Sequence, residues 1–382
     1  MFCANFSINF SVMIITYDNK KQKKDILEKT SRAELKTISG KGAKNKLIHA
    51  DNLSTLKTLL DDYSGKVDLI YIDPPFATNG HFKISEDRAN TISSSNGDAI
   101  AYSDTLIGDD FLEFLRERLI FLRELLSEHG SIYLHIDYKI GHYVKLIMDE
   151  VFGRDMFRND ITRIKCNPKN FDRKAYGNIK DLILFYSKSG SPIWNDPRLP
   201  FSEDDEERLF KKTDKDGRKY TTIPLHAPGE TSNGNTSKEW KGMKPPKGRH
   251  WRTDPAILEK WDRQGLIEWS ANGVPRKKIF LDEKDGKKMQ DIWEFKDPQY
   301  PQYPTEKSLD LLKFIIEASS NEGDLVLDCF AGSGTTLIAA QSLNRSWIGI
   351  DKSEQAIKVA KKRLADLPNS LFSKVEYEFL KD

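Results

Sequence analysis

The sequence predicts an α/β fold with a doubly wound, mostly parallel sheet, interrupted by an insertion of irregular structure. Three observations carry this expectation. From Lys46 onward strand and helix signals alternate, the βαβ pattern that covers both faces of a parallel sheet with helices. One strand signal, "KVDLIYID", is apolar without alternation, as strands buried on both faces are. From about Gly190 to Asp297 the rhythm fails, and Gly, Pro, Lys, Asp and Trp replace the longer apolar runs.

The elements follow in order. The opening "MFCANFSINFSVMIIT" lacks a basic region and a small-residue cleavage site, so residues 1–45 are expected to be an N-terminal tail and not a targeting signal, with Met13 as an alternative natural start. "KLIHA" reads as a strand and "NLSTLKTLLDDY" as a helix, ahead of "KVDLIYID". A loop is expected from there through about Asp104. In "DDFLEFLRERLIFLRELLSEHG", Phe111, Leu112, Leu115, Leu119, Leu122 and Leu126 recur at helical spacing, and Gly130 reads as the stop. "SIYLHID", "YVKLIMDEVFG" and "KDLILFYSK" continue as strand, helix and strand. Within the insertion, "DPAILEKWDRQG" is the one clear helix signal. The rhythm returns with "SLDLLKFIIEASS" as helix, "DLVLDCF" as strand, "AGSGTTLIAAQSLN" as a glycine-rich turn into a helix, "SWIGID" as strand and "SEQAIKVAKKRLADL" as helix. The expected divisions are thus 1–45, 46–190, 191–297 and 298–382.

Composition bounds the function classes. At 382 residues, with 38% hydrophobic and 31% charged positions and a net charge of +2, the chain is long enough for a substantial core and ordinary in its surface. The near-neutral total hides an asymmetry: Arg154 to Asp297 holds 31 Lys and Arg against 24 Asp and Glu, which suggests a polyanionic partner there. Cys3, Cys166 and Cys329 lie far apart and form no CxxC pair, so neither a disulfide framework nor a zinc site is indicated, and a reducing cytoplasm is the expected location. No run of about 20 apolar residues signals a membrane span.

Two stretches carry chemistry. In "VLDCFAGSGTT" a strand ending in Asp328 enters a glycine-rich turn and then a helix, which lets the backbone approach a ligand. Alone, this fits a dinucleotide, a nucleoside or a tight βα connection equally. Asp351, closing "WIGID" about twenty residues on, can accept hydrogen bonds from both ribose hydroxyls of a nucleoside. The glycines form no full GxGxxG, so a nucleoside such as S-adenosylmethionine fits better than a dinucleotide. The second stretch is Asp73-Pro74-Pro75-Phe76, at the end of the apolar strand. An exocyclic amine on a nucleobase is a poor nucleophile because its lone pair is delocalised into the ring. A carboxylate and a carbonyl fixed by a rigid Pro-Pro turn can accept both amino hydrogens, and Phe76 offers a face for an extruded base.

With both motifs in hand, the chain resembles the DNA amino-methyltransferases that modify N6 of adenine or N4 of cytosine and share a D/N/S-P-P-Y/F/W motif. The catalytic motif precedes the cofactor motif, with a basic region between them, and this circularly permuted order resembles the β class, which includes type II and type III modification enzymes. The resemblance covers about Lys46 to Leu367. It implies a Rossmann-like class I methyltransferase fold, with 46–190 the catalytic half, 191–297 a target-recognition insertion and 298–382 the cofactor-binding half. It implies a cofactor pocket of Asp51, Asp328, Phe330, Gly332, Ser333, Gly334, Thr335 and Asp351. "YPTEKSLDLLK" resembles the motif at the methionine end of the cofactor, with Thr305 as N-cap, Glu306 and Lys307 starting the helix, and Lys307 pairing with the cofactor carboxylate. Where the family often has proline this chain has Cys329, read as a buried structural thiol.

The implied activity is methylation of adenine N6 in double-stranded DNA, with N4 of cytosine as the alternative and an inactive DNA-binding regulator of the same fold as the remoter one. Aspartate first and phenylalanine fourth in the motif favour adenine. C5-cytosine chemistry needs a nucleophilic cysteine, and Cys166 in "IKCNP" lacks that context. Methyl transfer from a sulfonium requires no metal. In "KEWKGMKPPKGRHWR", Lys241, Lys244, Lys247, Arg249 and Arg252 interleave with Trp240 and Trp251; the cations can neutralise phosphates and the indoles stack on bases, though a solvated basic loop with two packing tryptophans accounts for the same residues. "RIKCNPKNFDRKAYGN" is similarly basic. His135 and Asp137 either shape the base pocket or merely end a strand. The resemblance admits a homodimer, and, as no nuclease-like segment is visible, a cognate restriction endonuclease would be a separate chain.

Overall fold

The computed structural model describes residues 14–75, 81–84, 89–90, 99–103, 108–168, 174–231, 233–299, 301, 306–367 and 375–382, with the backbone alone at 81–84, 89–90 and 99–103. The chain forms two compact units, Met1–Pro197 with Gln290–Asp382, and Arg198–Met289.

The larger unit is built on a ten-stranded sheet of β1 (Lys36–Ser39), β2 (Lys46–His49), β3 (Val67–Ile72), β4 (Leu126–Ile136), β5 (Phe157–Ile164), β6 (Lys180–Ser187), β7 (Ile292–Trp293), β8 (Leu325–Asp328), β9 (Ser346–Asp351) and β10 (Glu378–Lys381). Its spatial order is β1-β10-β2-β9-β8-β3-β4-β6-β5-β7. The central pairings β9–β8, β8–β3 and β3–β4 are parallel, whereas β6 runs antiparallel to both β4 and β5. The middle strands read as unbroken apolar runs because both faces are covered: Leu69, Ile70, Ile72, Val326, Leu327, Ile348 and Ile350 are all fully buried.

Helices α1 (Lys23–Lys29), α2 (Asn52–Tyr63), α3 (Asp109–Leu125), α4 (Gly141–Phe152), α5 (Leu309–Ser319), α6 (Thr335–Ser342) and α7 (Glu354–Ala365) complete the unit. Helix α3 buries Phe111, Leu115, Leu119 and Leu122 on one stripe. It stops at Leu125, since Leu126 is already extended (φ −60°, ψ 134°), and Gly130 lies inside β4 and is no helix stop. The chain leaves β3 toward β4 on one side and β8 toward β9 on the other. Between adjacent strands whose connections diverge in this way a crevice opens at the carboxyl ends, and Asp73 and Asp328 stand there.

Two further expectations are corrected. Residues 1–45 are not simply a tail: 23–29 form α1, with Ile26 buried in the main core, and 36–39 form the edge strand β1. The physical reason lies on α3, whose buried Glu113, Arg116 and Glu117 need polar partners. Tyr17 Oη donates to Glu113 (2.5 Å), Lys21 Nζ pairs with Glu117, and Arg116 donates to the Lys21 carbonyl (3.1 Å). Residues 1–13 lie outside the described residues. The stretch expected as loop contains His81–Ile84, Ala89–Asn90 and Ala99–Ser103, which pair as a three-stranded antiparallel sheet; short runs such as "HFKI" and "AIAYS" suffice for hairpin pairing.

The smaller unit is more regular than its composition suggested. Lys212–Thr213, Lys219–Pro224, Pro275–Phe280 and Ile267–Trp269 form a four-stranded antiparallel sheet, and His226–Pro228 pairs with Arg249–Trp251. The helix Pro255–Arg263 starts where Asp254 accepts from Ala256 N. Leu225, Trp240, Trp251, Leu258 and Ile267 make its core. Among the described residues no helix is long and apolar enough to cross a membrane.

Candidate active site

Asp73 follows the last residue of β3, where Pro74 and Pro75 end the strand by removing backbone donors. Its Oδ2 holds the Lys307 ammonium at 2.6 Å. Its Oδ1 is buried and accepts from nothing among the described residues. A buried carboxylate oxygen without a donor is destabilising, and Oδ1 is open to one that a ligand could bring. Phe76 and Thr305 lie outside the described residues. The expected helix start is corrected: α5 begins at Leu309 with Ser308 in the N-cap position, and Glu306 and Lys307 precede it. They are held instead by Arg363 (2.9 Å) and Asp73.

Beside Asp73, the glycine turn brings its functional groups together. Gly332 (φ +51°) and Gly334 (φ +78°) both take left-handed backbone, and a Cβ on Gly334 would sit 3.0 Å from the Ala360 Cβ. Asp351 Oδ2 accepts from Gly332 N and Oδ1 from Ser353 N, each at 2.8 Å, leaving a further lone pair on each oxygen. Burial raises the Asp351 carboxyl above its ordinary value. Asp328 accepts from Phe330 N (2.9 Å) and Thr336 Oγ1 (2.6 Å). Burial, aided by the charges of Asp73 and Asp351 and opposed by those two hydrogen bonds, pushes Asp328 up to about 7.

Such a carboxyl binds its proton more firmly folded than unfolded, so its contribution to stability is present at low pH and is lost as the pH rises from 3.8 toward about 7. Asp328→Asn cannot ionise. The thermal stability of that variant relative to the parent should therefore rise across this window and level off above it, as measured by calorimetry over a pH series. A difference independent of pH would refute this assignment.

Asp51 caps α2, with Oδ1 accepting from Leu53 N (2.9 Å) and Oδ2 standing 3.8 Å from the Arg118 guanidinium. Arg118 was not anticipated. It is buried, lies over the Phe114 ring (3.5 Å to its centroid), and donates to Asn52 Oδ1 (2.6 Å), while Asn52 Nδ2 donates to the Cys329 carbonyl (2.8 Å). Phe114 packs on half-buried Phe330. The signal was an arginine on the stripe Phe111, Leu115, Leu122 of an otherwise apolar helix face. Arg363 was equally unforeseen: its Nη1 donates to Ser333 Oγ (2.7 Å) and Thr335 Oγ1 (2.9 Å), so these hydroxyls brace α7.

His135 is fully buried between Tyr71 Oη (2.9 Å) and Asp181 Oδ2 (3.2 Å), and burial lowers its pKa. Burial opposes ionisation of Asp181, but hydrogen bonds from His135 and Lys165 hold its carboxyl well below the usual range. Asp137 accepts from Lys139 N (2.9 Å) in the turn after β4. Cys329 is buried, and burial pushes its thiol well up.

In the smaller unit, the stacking role given to the tryptophans is corrected. Trp251 and Trp240 are only 3% and 4% exposed, at the centre of that unit's core, with ring nitrogens donating to the Lys238 carbonyl (2.9 Å) and Glu259 (3.2 Å). Large indoles are worth more in a small core than on a wet surface. Lys241 is ion-paired with Asp262. Lys244, Lys247, Arg249 and Arg252 are exposed, with Arg252 Nε donating to the Pro224 carbonyl (3.0 Å) and Arg249 reaching His226 (3.2 Å).

Comparison with known proteins identifies the family. The family model described as DNA methylase, of the N6/N4 type, matches residues 67–362. The chain is 43% identical over 330 residues to the type II methyltransferase M.EcaI of Enterobacter cloacae, covering 84% of this chain and 69% of that one. It is 44% identical over 329 residues to the type II methyltransferase M2.LlaDCHI of Lactococcus lactis subsp. cremoris, covering 83% and 88%. It is 28% identical over 343 residues to the type III restriction-modification enzyme StyLTI Mod subunit of Salmonella typhimurium, covering 80% of this chain and about half, 51%, of that subunit. S-adenosylmethionine is the methyl donor of this family, and the left-handed glycine turn, the paired strand-end carboxylates and half-buried Phe330 are a donor set that fits a nucleoside. The chain belongs to the N6/N4 DNA methylase family.

Proposed function

We propose that the chain methylates N6 of adenine in double-stranded DNA, at a site whose acceptor pair is Asp73 and the Pro74 carbonyl. The observation that carries amine methylation is the buried Asp73 Oδ1 at the crevice between β3 and β8, which has no donor among the described residues; the choice of adenine rests on the aspartate and phenylalanine of the motif. Asp51, Asp328, Phe330, Gly332, Gly334 and Asp351 would hold the nucleoside of S-adenosylmethionine, whose sulfonium supplies an electrophilic methyl when bound. Ser333 and Thr335 shape the turn through Arg363. Asp73 and the Pro74 carbonyl accept the two amino hydrogens, drawing the nitrogen lone pair out of the ring for in-line attack. The amine nitrogen would form the new bond to the methyl carbon as the carbon–sulfur bond breaks, the sulfur leaving as a neutral thioether with that electron pair, and one amino proton passes to solvent, so no strong general base is required. Phe76 would stack on the extruded base.

Arg198–Met289 would be the target-recognition unit, with Lys244, Lys247, Arg249 and Arg252 neutralising phosphates; such contacts fix register without specifying sequence. Relatives named as type II methyltransferases and as a type III restriction-modification enzyme Mod subunit support a place in a restriction–modification system. DNA from cells expressing the chain, sequenced by a method that detects modified bases, should carry N6-methyladenine within one short recurrent sequence. Modified cytosine there would assign the site to N4 chemistry instead.

A further inference from the structure

We propose that Lys307 is a positioning residue for methyl transfer: its ammonium, held by the segment that Arg363 braces, fixes one oxygen of Asp73 and so reserves the other for the target amine. This rests on the reading of Asp73 as the acceptor.

Lys307 Nζ lies 2.6 Å from Asp73 Oδ2, and the lysine is buried to 9% exposure. A lysine side chain is flexible, and left to itself it would hold a carboxylate in no single orientation. Here its backbone is tied down. Glu306, its neighbour, pairs with Arg363 Nη2 at 2.9 Å, both side chains being largely buried. Arg363 Nη1 in turn donates to Ser333 Oγ (2.7 Å), Thr335 Oγ1 (2.9 Å) and the Ser333 carbonyl (3.2 Å). One guanidinium therefore links the glycine turn to the residue that grips Asp73. The path Asp73–Lys307–Glu306–Arg363–Ser333 sets the acceptor's place relative to the turn, and a displacement of about 1 Å between reacting groups lowers rates by about 100-fold. The arrangement also divides the work of the carboxylate, because Oδ2 is occupied while Oδ1 has no donor among the described residues.

A lysine that instead served the cofactor carboxylate would behave oppositely when replaced. The test uses the full chain, duplex DNA containing the target sequence, and S-adenosylmethionine. Lys307→Met should lower kcat by about 100-fold or more while the cofactor Kd stays within about threefold, and Lys307→Arg should recover at least about tenfold of the lost kcat. In an Asp73→Asn background Lys307→Met should lower kcat no further, since the lysine acts through that carboxylate. Unchanged kcat in Lys307→Met, or a cofactor Kd raised about tenfold with kcat retained, overturns the proposal. Should the methionine variant fail to fold, Lys307→Gln, which keeps a polar side chain but no charge, is read by the same split between kcat and cofactor Kd. Full activity in Asp73→Asn alone would instead remove the acceptor role of Asp73, a separate failure.

Discussion

Asp73→Ala should abolish methyl transfer, lowering kcat by about 1,000-fold or more, the scale on which losing a preorganised group at the reacting centre acts. Affinity for S-adenosylmethionine should stay within about threefold, because the nucleoside would be held by the glycine turn and Asp351. The asymmetry follows from the structure. Among the described residues Asp73 is joined to the glycine turn through Lys307, Glu306 and Arg363, whereas Asp351 accepts directly from Gly332 N. Single-turnover rates with labelled cofactor and equilibrium cofactor binding separate the two quantities. A variant that still turns over near the parental rate would remove Asp73 from the chemistry.

Trp251→Ala should destabilise the smaller unit by about 3–5 kcal/mol, the range for deleting a buried indole. Trp251 sits in that core with Trp240, Leu225, Leu258 and Ile267, and its Nε1 bonds the Lys238 carbonyl, so truncation leaves both a cavity and an unpaired carbonyl. Urea denaturation followed by tryptophan fluorescence should show the shift. Lys247, exposed, provides the contrast: Lys247→Ala should leave the denaturation midpoint in place and weaken DNA binding in a salt-dependent manner. If Trp251→Ala kept its midpoint and lost only DNA affinity, the indole would belong to a contact surface after all.

The sheet was legible because its central strands are buried on both faces. "VDLIYI" and "SWIGID" can be little else, and the turn "AGSGTT" between strand and helix has a left-handed backbone that favours glycine at residues 332 and 334. The strand-end positions of Asp73, Asp328 and Asp351 followed directly. What escaped were pairings between residues distant in sequence. Arg118 and Asn52, or Arg363 and Ser333, are ordinary polar residues until the fold brings them within hydrogen-bond reach. The segment from Tyr17 to Lys21 reads as solvated charge, and its docking is decided by Glu113 and Arg116, some ninety residues on, which α3 buries and leaves in need of partners. Trp240 and Trp251 show the converse ambiguity. Tryptophans among lysines fit a nucleic-acid surface and a small core equally well on paper, and burial alone distinguished them.

The central claim is that the crevice at Asp73 clamps the amino group of adenine. The most direct measurement incubates the purified full chain with duplex DNA and methyl-labelled S-adenosylmethionine, digests the product to nucleosides and identifies the labelled species by mass spectrometry. The account predicts label in N6-methyldeoxyadenosine, and none when Asp73 is alanine. Label in N4-methyldeoxycytidine would contradict the assignment of the base, and label in neither nucleoside would contradict the site itself.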